Sequence, residues 1–120
     1  MIERIENLAA GVLGFRADGQ ITASDYTDVL KPAIDAVLQQ GDEVRILLEF
    51  GDWSGMTGGA MWEDLKMGIE RLTKWKRIAL VTDVDWMRRA TDLFGWMMPG
   101  DVKTFKISER DAALVWVAAP

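Results

Sequence analysis

Three aspartates are the residues best placed to do chemistry. Asp83 and Asp85 follow the apolar run Ile78-Ala79-Leu80-Val81, and Asp52 follows Val44 to Phe50 (VRILLEF). Short apolar runs rich in branched residues read as strands buried on both faces of a sheet. The aspartates then fall at strand carboxyl ends, where open α/β sheets bind ligands, and together they would suit magnesium or calcium. Acidic residues at such positions serve more often as turn formers and helix caps, and that is the preferred reading. The glycine-rich loop Gly51 to Gly59 (GDWSGMTGG) feeds a helix start able to hold an anion. It lacks the Gly-Lys-Ser/Thr ending of a phosphate-binding loop. Ser54 and Thr57 are hydroxyls with no base beside them, and Glu63 and Asp64 diverge by ~100° on a helix. The chain has no His and no Cys, which removes the commonest general base, thiol nucleophiles, disulfides and most zinc sites. The expectation is a non-enzymatic protein with no catalytic residue, metal or cofactor.

The elements that position these residues follow from hydrophobic period and punctuation. Ile2 to Leu8 and Gly11 to Ala17 read as a hairpin, with Asp18-Gly19 as the next turn. Thr22 and Asp25 resemble a capping box opening a helix whose inner face is Tyr26, Val29, Leu30, Ala33, Ile34 and Val37. Pro32 kinks this helix or divides it in two. After the Val44 to Phe50 strand, Ala60 to Trp75 reads as a helix with Met61, Leu65, Gly68, Ile69, Leu72 and Trp75 on its apolar face. The Ile78 to Val81 run reads as a central parallel strand, followed by a helix from Trp86 to Met98 that Pro99-Gly100 ends. Val102 to Ile107 is an edge strand whose outward lysines discourage pairing. Ser108 caps a last helix, Glu109 to Ala118, with Ala112, Leu114, Val115 and Trp116 closing the core. The alternation predicts one α/β domain over residues 1–120: a mostly parallel five-stranded sheet, one antiparallel edge strand and four to five helices.

Composition adds constraints. A net charge of −5 argues against nucleic-acid binding, which needs a concentrated basic face. No apolar run reaches membrane-spanning length, and the start lacks a signal-peptide pattern, so the expected location is cytoplasmic. Six Trp and seven Met accompany a single Tyr, a supply of large, adaptable apolar side chains. At ~100° per residue, Trp86, Met87, Ala90, Leu93, Phe94, Trp96, Met97 and Met98 cover an arc of roughly 200°. Leaving roughly 300 Å² of such surface in water would forgo ~7 kcal/mol, so a ligand, a membrane, a second copy or deeper burial must cover it.

Several segments resemble the SpoIIAA-like family of small bacterial proteins: Phe50-Gly51 ending a strand, AMWEDLKMGI at Ala60 to Ile69, RIALVTDVDWMR at Arg77 to Arg88, PGDVKTFKISE at Pro99 to Glu109, and Ala112 to Trp116. The resemblance covers nearly the whole chain. It implies a STAS-type fold, related to anti-sigma-factor antagonists and similar to lipid-carrying CRAL-TRIO domains, and a capacity for nonpolar ligands and membrane association. True antagonists carry an Asp-Ser-Ser-Gly-like motif with a phosphorylatable serine at the helix start after the third strand. The matching positions are Thr57, Gly58 and Gly59, so glycine replaces the hydroxyl; Asp52-Trp53-Ser54-Gly55 imitates the motif but lies too early.

Two functional readings result. The first is a carrier of a nonpolar, lipid-like molecule beneath a mobile Trp86 to Met98 helix, with peripheral membrane contact. Its ligand-binding residues are Trp62, Trp86, Met87, Phe94, Trp96, Met97 and Met98, with Arg88 and Arg89 meeting a headgroup. The second is a regulatory protein-interaction module whose partner loop carries Asp52, Trp53, Ser54 and Thr57. A homodimer is a further way of covering the apolar helix.

Overall fold

The computed structural model describes residues 1–6, 8–40, 43–56, 75–94 and 100–119, and the backbone alone at positions 23, 26, 52–56, 86, 87, 90, 93 and 94. Five strands form one sheet in sequential order: β1 (Ile2–Arg4), β2 (Val12–Ile21), β3 (Val44–Met56), β4 (Trp75–Thr82) and β5 (Asp101–Phe105). The β1–β2 pair is antiparallel, and the other three pairs are parallel. The mixed α/β sheet with its antiparallel edge therefore matches expectation.

Boundaries differ where turn residues proved compatible with strand. Asp18-Gly19 does not end β2. Gly19 takes a positive φ of 63°, where a residue without Cβ is unstrained, and a register shift lies on either side of it. Pairing then resumes with Gln20 opposite Gly55 and Ile21 opposite Met56. Gly51 to Met56 of the expected Gly51 to Gly59 loop are accordingly strand. Trp75 also changes place: it begins β4 and is buried rather than closing a helix.

The described residues carry helix in three stretches, fewer than the expected four to five. The first helical stretch runs through α1 (Ala23–Asp25), a π-helical turn (Tyr26–Leu30) and α2 (Lys31–Gln39). Pro32 sits in the first turn of α2, where a missing N–H leaves no hydrogen bond unmade, and the π-helical turn lies directly before α2. The others are α3 (Asp85–Phe94) and α4 (Arg110–Ala118), the latter preceded by a 3-10 turn (Ile107–Glu109). The helix expected within 60–75 falls on residues outside the description up to 74, as do positions 95–98 of the helix expected to end at Met98.

Two cores flank the sheet. On one face Leu13, Phe15, Ala17, Ile46, Phe50 and Ile78 pack with Leu30 and Ile34. On the other, Leu47, Ala79, Val81 and Phe105 pack with Ala113 and Val117 of α4. The last helix thus uses a different stripe from that expected: Ala112 is exposed and Val115 is 73% exposed, while Ala113 and Val117 are fully buried. Arg45 Nη1 donates to the carbonyls of Val117 (2.8 Å) and Ala119 (2.5 Å), and Arg77 Nη1 to that of Trp116 (2.6 Å). Cations on the open carbonyls at a helix end complement its dipole. These contacts fix the phase of α4 on the sheet.

The Thr22–Asp25 capping box is present. Asp25 Oδ2 accepts from the Thr22 N–H (2.8 Å) and hydroxyl (3.1 Å), Thr22 Oγ1 accepts from the Asp25 N–H, and Asp25 Oδ1 accepts from the Ile2 N–H. The Thr22 backbone bond is the chief reason the carboxyl sits below its ordinary pKa, outweighing desolvation, with Ile2 and the Thr22 hydroxyl helping. A depressed folded-state pKa contributes stability above the unfolded-chain value that is lost as pH falls through the folded value. Asp25→Ala should therefore cost about 1 kcal/mol near neutral pH. In urea unfolding at a series of pH values, its gap from wild type should close as the solution is acidified below the ordinary aspartate pKa.

Candidate functional site

The carboxyl ends of β3 and β4 hold the aspartates singled out in the sequence, and the structure gives one of them a definite task. Asp83 Oδ1 accepts from the Ile107 N–H at 3.1 Å, so a residue leaving β4 caps the turn that opens the last helix. Glu109 reaches back to the Lys106 N–H at 2.8 Å. The expected Ser108 cap is replaced by these two carboxylates, and Ser108 lies inside the 3-10 turn. Thr82 Oγ1 accepts from the Val84 N–H (3.0 Å), turning the chain into α3, where Asp85 occupies the first turn. Asp52, Trp53 and Ser54 lie within β3, and Gly19 is the register partner of Trp53. Among the described residues no group of three metal-ligating side chains converges.

A charged cluster that the sequence reading passed over lies just inside this rim. Glu3, Arg16, Glu49, Val81 and Phe105 occupy one register row across all five strands. Glu49 is 3% exposed. Its carboxylate lies 3.7 Å from Arg16 Nη1 and 3.4 Å from Arg110 Nε, and Arg16 Nε also donates to Asp18 Oδ2 at 2.9 Å. Gly51, two residues after Glu49 on the same face, lies beneath the Arg16–Asp18 pair, and a Cβ there would run into both side chains. Arg110 opens α4, where the helix dipole disfavours a cation; the buried carboxylate accounts for its presence. The cluster ties the last helix to the middle of the sheet. Its one signal in the sequence was a glutamate inside the otherwise apolar run VRILLEF.

The apolar-helix residues divide differently. Trp86, Met87 and Phe94 lie on α3, whereas Trp62, Trp96, Met97 and Met98, with Thr57 of the partner loop, lie outside the described residues. Arg88 is half-buried and Arg89 exposed on α3. Asp92 of the same helix accepts from the Thr104 hydroxyl of β5 at 3.2 Å, placing α3 on the face opposite α4. No helix among the described residues is long and apolar enough to cross a membrane.

Comparison with known proteins agrees with this architecture. No curated protein matches the chain. A crystal structure of an uncharacterised protein of the DUF3478 family from Shewanella loihica PV-4, described as having a SpoIIAA-like fold, superposes with a TM-score of 0.75 at 25% identity. The match covers 98% of this chain and 93% of that one. The SpoIIAA-like family model matches residues 12–118, from the second strand through the last helix. On that match, the chain belongs to the SpoIIAA-like family.

Proposed function

We propose that the chain is a non-enzymatic, cytoplasmic regulatory module that recognises another protein in the STAS manner, through the outer end of β3 and the residues that follow it. The supporting observation is the SpoIIAA-like fold combined with the course of β3, which continues beside β2 as far as Met56. Register shifts lie on either side of Trp53, so Asp52, Trp53 and Ser54 belong to a bulged strand end at the sheet rim, and bulges are frequent beside functional sites. Ser54 lies in the strand rather than at a helix amino end, so it lacks the dipole that would favour a phosphoserine there. Recognition on this reading does not need phosphorylation.

A nonpolar ligand beneath α3 is the competing reading, and no contact among the described residues supports it. The discriminating experiment is a native pull-down with wild type and with the Trp53→Ala, Ser54→Ala double variant, alongside mass spectrometry of the organic extract of the purified protein. A kinase-like or sigma-factor partner retained by wild type and lost by the variant is the expected result. Equal capture by both proteins, or a stoichiometric lipid in the extract, would overturn the proposal.

A further inference from the structure

β5 is the outer parallel strand of the sheet, and among the described residues it has a neighbouring strand on one side alone. Such an edge presents backbone donors and acceptors to any extended chain. Its two exposed charged residues have opposite sign and lie two apart, Asp101 and Lys103, hence on the same face. The next residue on that face, Phe105, is buried beneath Trp116, with ring centroids 5.9 Å apart. Lys103 Nζ lies 5.2 Å from the Phe105 ring centre, which draws the ammonium along the strand over this face.

From this pattern we infer that β5 is a self-recognition edge: two copies of the chain pair antiparallel about Val102 to make one continuous ten-stranded sheet. In that register Asp101 of each copy faces Lys103 of the other, so the two-fold axis generates the favourable pair twice. Directly opposed unlike charges stabilise a strand pair and like charges oppose it. Sliding the strands to centre on Lys103 sets two lysines face to face, so the same residues that select one register reject the next. A lone edge lysine wards off foreign strands; one complemented by Asp101 of a second copy admits its own kind. Attraction and rejection built from the same groups are the means by which interfaces become specific.

Sedimentation equilibrium of the full chain over a wide concentration range tests the inference. Wild type should approach twice the chain mass, with a dissociation constant that rises with salt as the charge pairs are screened. Lys103→Asp should weaken association by at least about tenfold, and the exchanged variant D101K/K103D should regain it. Lys103 is exposed, so K103D should melt near wild type by circular dichroism. A wild-type chain that stays monomeric throughout overturns the inference. So does K103D associating as tightly as wild type, or salt-insensitive association of the wild-type protein.

Discussion

Replacing Arg16 and Arg110 together by Met should lower the unfolding free energy by about 3–5 kcal/mol at neutral pH, and Glu49→Gln should restore more than half of the loss. The argument rests on where the charges sit. The Glu49 side chain is 4% exposed, whereas those of Arg16 and Arg110 are 46% and 40% exposed. The arginines reach water by themselves and the carboxylate does not. Removing one arginine leaves Glu49 with the other, so each single substitution should cost markedly less than the pair. Removing both strands an ionised carboxylate in a low-dielectric sheet interior, the case in which breaking a buried pair is expensive. Glutamine keeps the shape and the hydrogen-bonding groups without the charge, so it should help the double variant while harming wild type. Urea unfolding of the six proteins gives the cycle directly. Equal stability of the double variant with and without Glu49→Gln would show that the cluster is too well hydrated to matter.

The same cluster marks a boundary in what the sequence could disclose. Strand identity was legible because apolar runs such as Ile78 to Val81 have a single explanation, burial on both faces. The Thr22–Asp25 cap was legible because its partners are three residues apart. Glu49 was not: its arginines come from an earlier strand and from a helix about sixty residues later, and no local pattern joins them. Asp83 was legible as a cap but its partner was not, since the Ile107 N–H is brought near by the order of the strands. Gly19 and the β3 residues from Gly51 onward looked like turn chemistry, yet a bulge let the β2–β3 ladder pass through them. The partner-loop residues Asp52, Trp53 and Ser54 consequently belong to a strand. Of the residues expected around an apolar ligand, Trp86, Met87 and Phe94 do fall on one helix, which its period had already indicated.

Phe15→Ala should cost about 3–5 kcal/mol, the range for removing a buried aromatic ring without full collapse of its site, and Val115→Ala should change stability by less than about 0.5 kcal/mol. Phe15 is 1% exposed on the face of β2 that packs with Leu30 and Ile34. Its flanking β2 residues on that face, Leu13 and Ala17, are also buried, and its register partner on β3 is Leu48. A strand held by ladders on both sides, antiparallel to β1 and parallel to β3, cannot close inward on the void, and the covering helix is fixed at its start by the Asp25 cap. Val115 is the instructive contrast, because its position in the sequence resembles that of a core residue. The arginine contacts to the carbonyls of Trp116, Val117 and Ala119 hold α4 in the phase that buries Ala113 and Val117, and Val115 faces water as a result. Val117→Ala should then cost about 2 kcal/mol. Urea midpoints at constant slope rank the three variants, with Phe15→Ala lowest, Val117→Ala next and Val115→Ala beside wild type. A Val115→Ala loss as large as that of Val117→Ala would mean that the helix lies in the other phase, and the Arg110 contact to Glu49 would have to be abandoned with it.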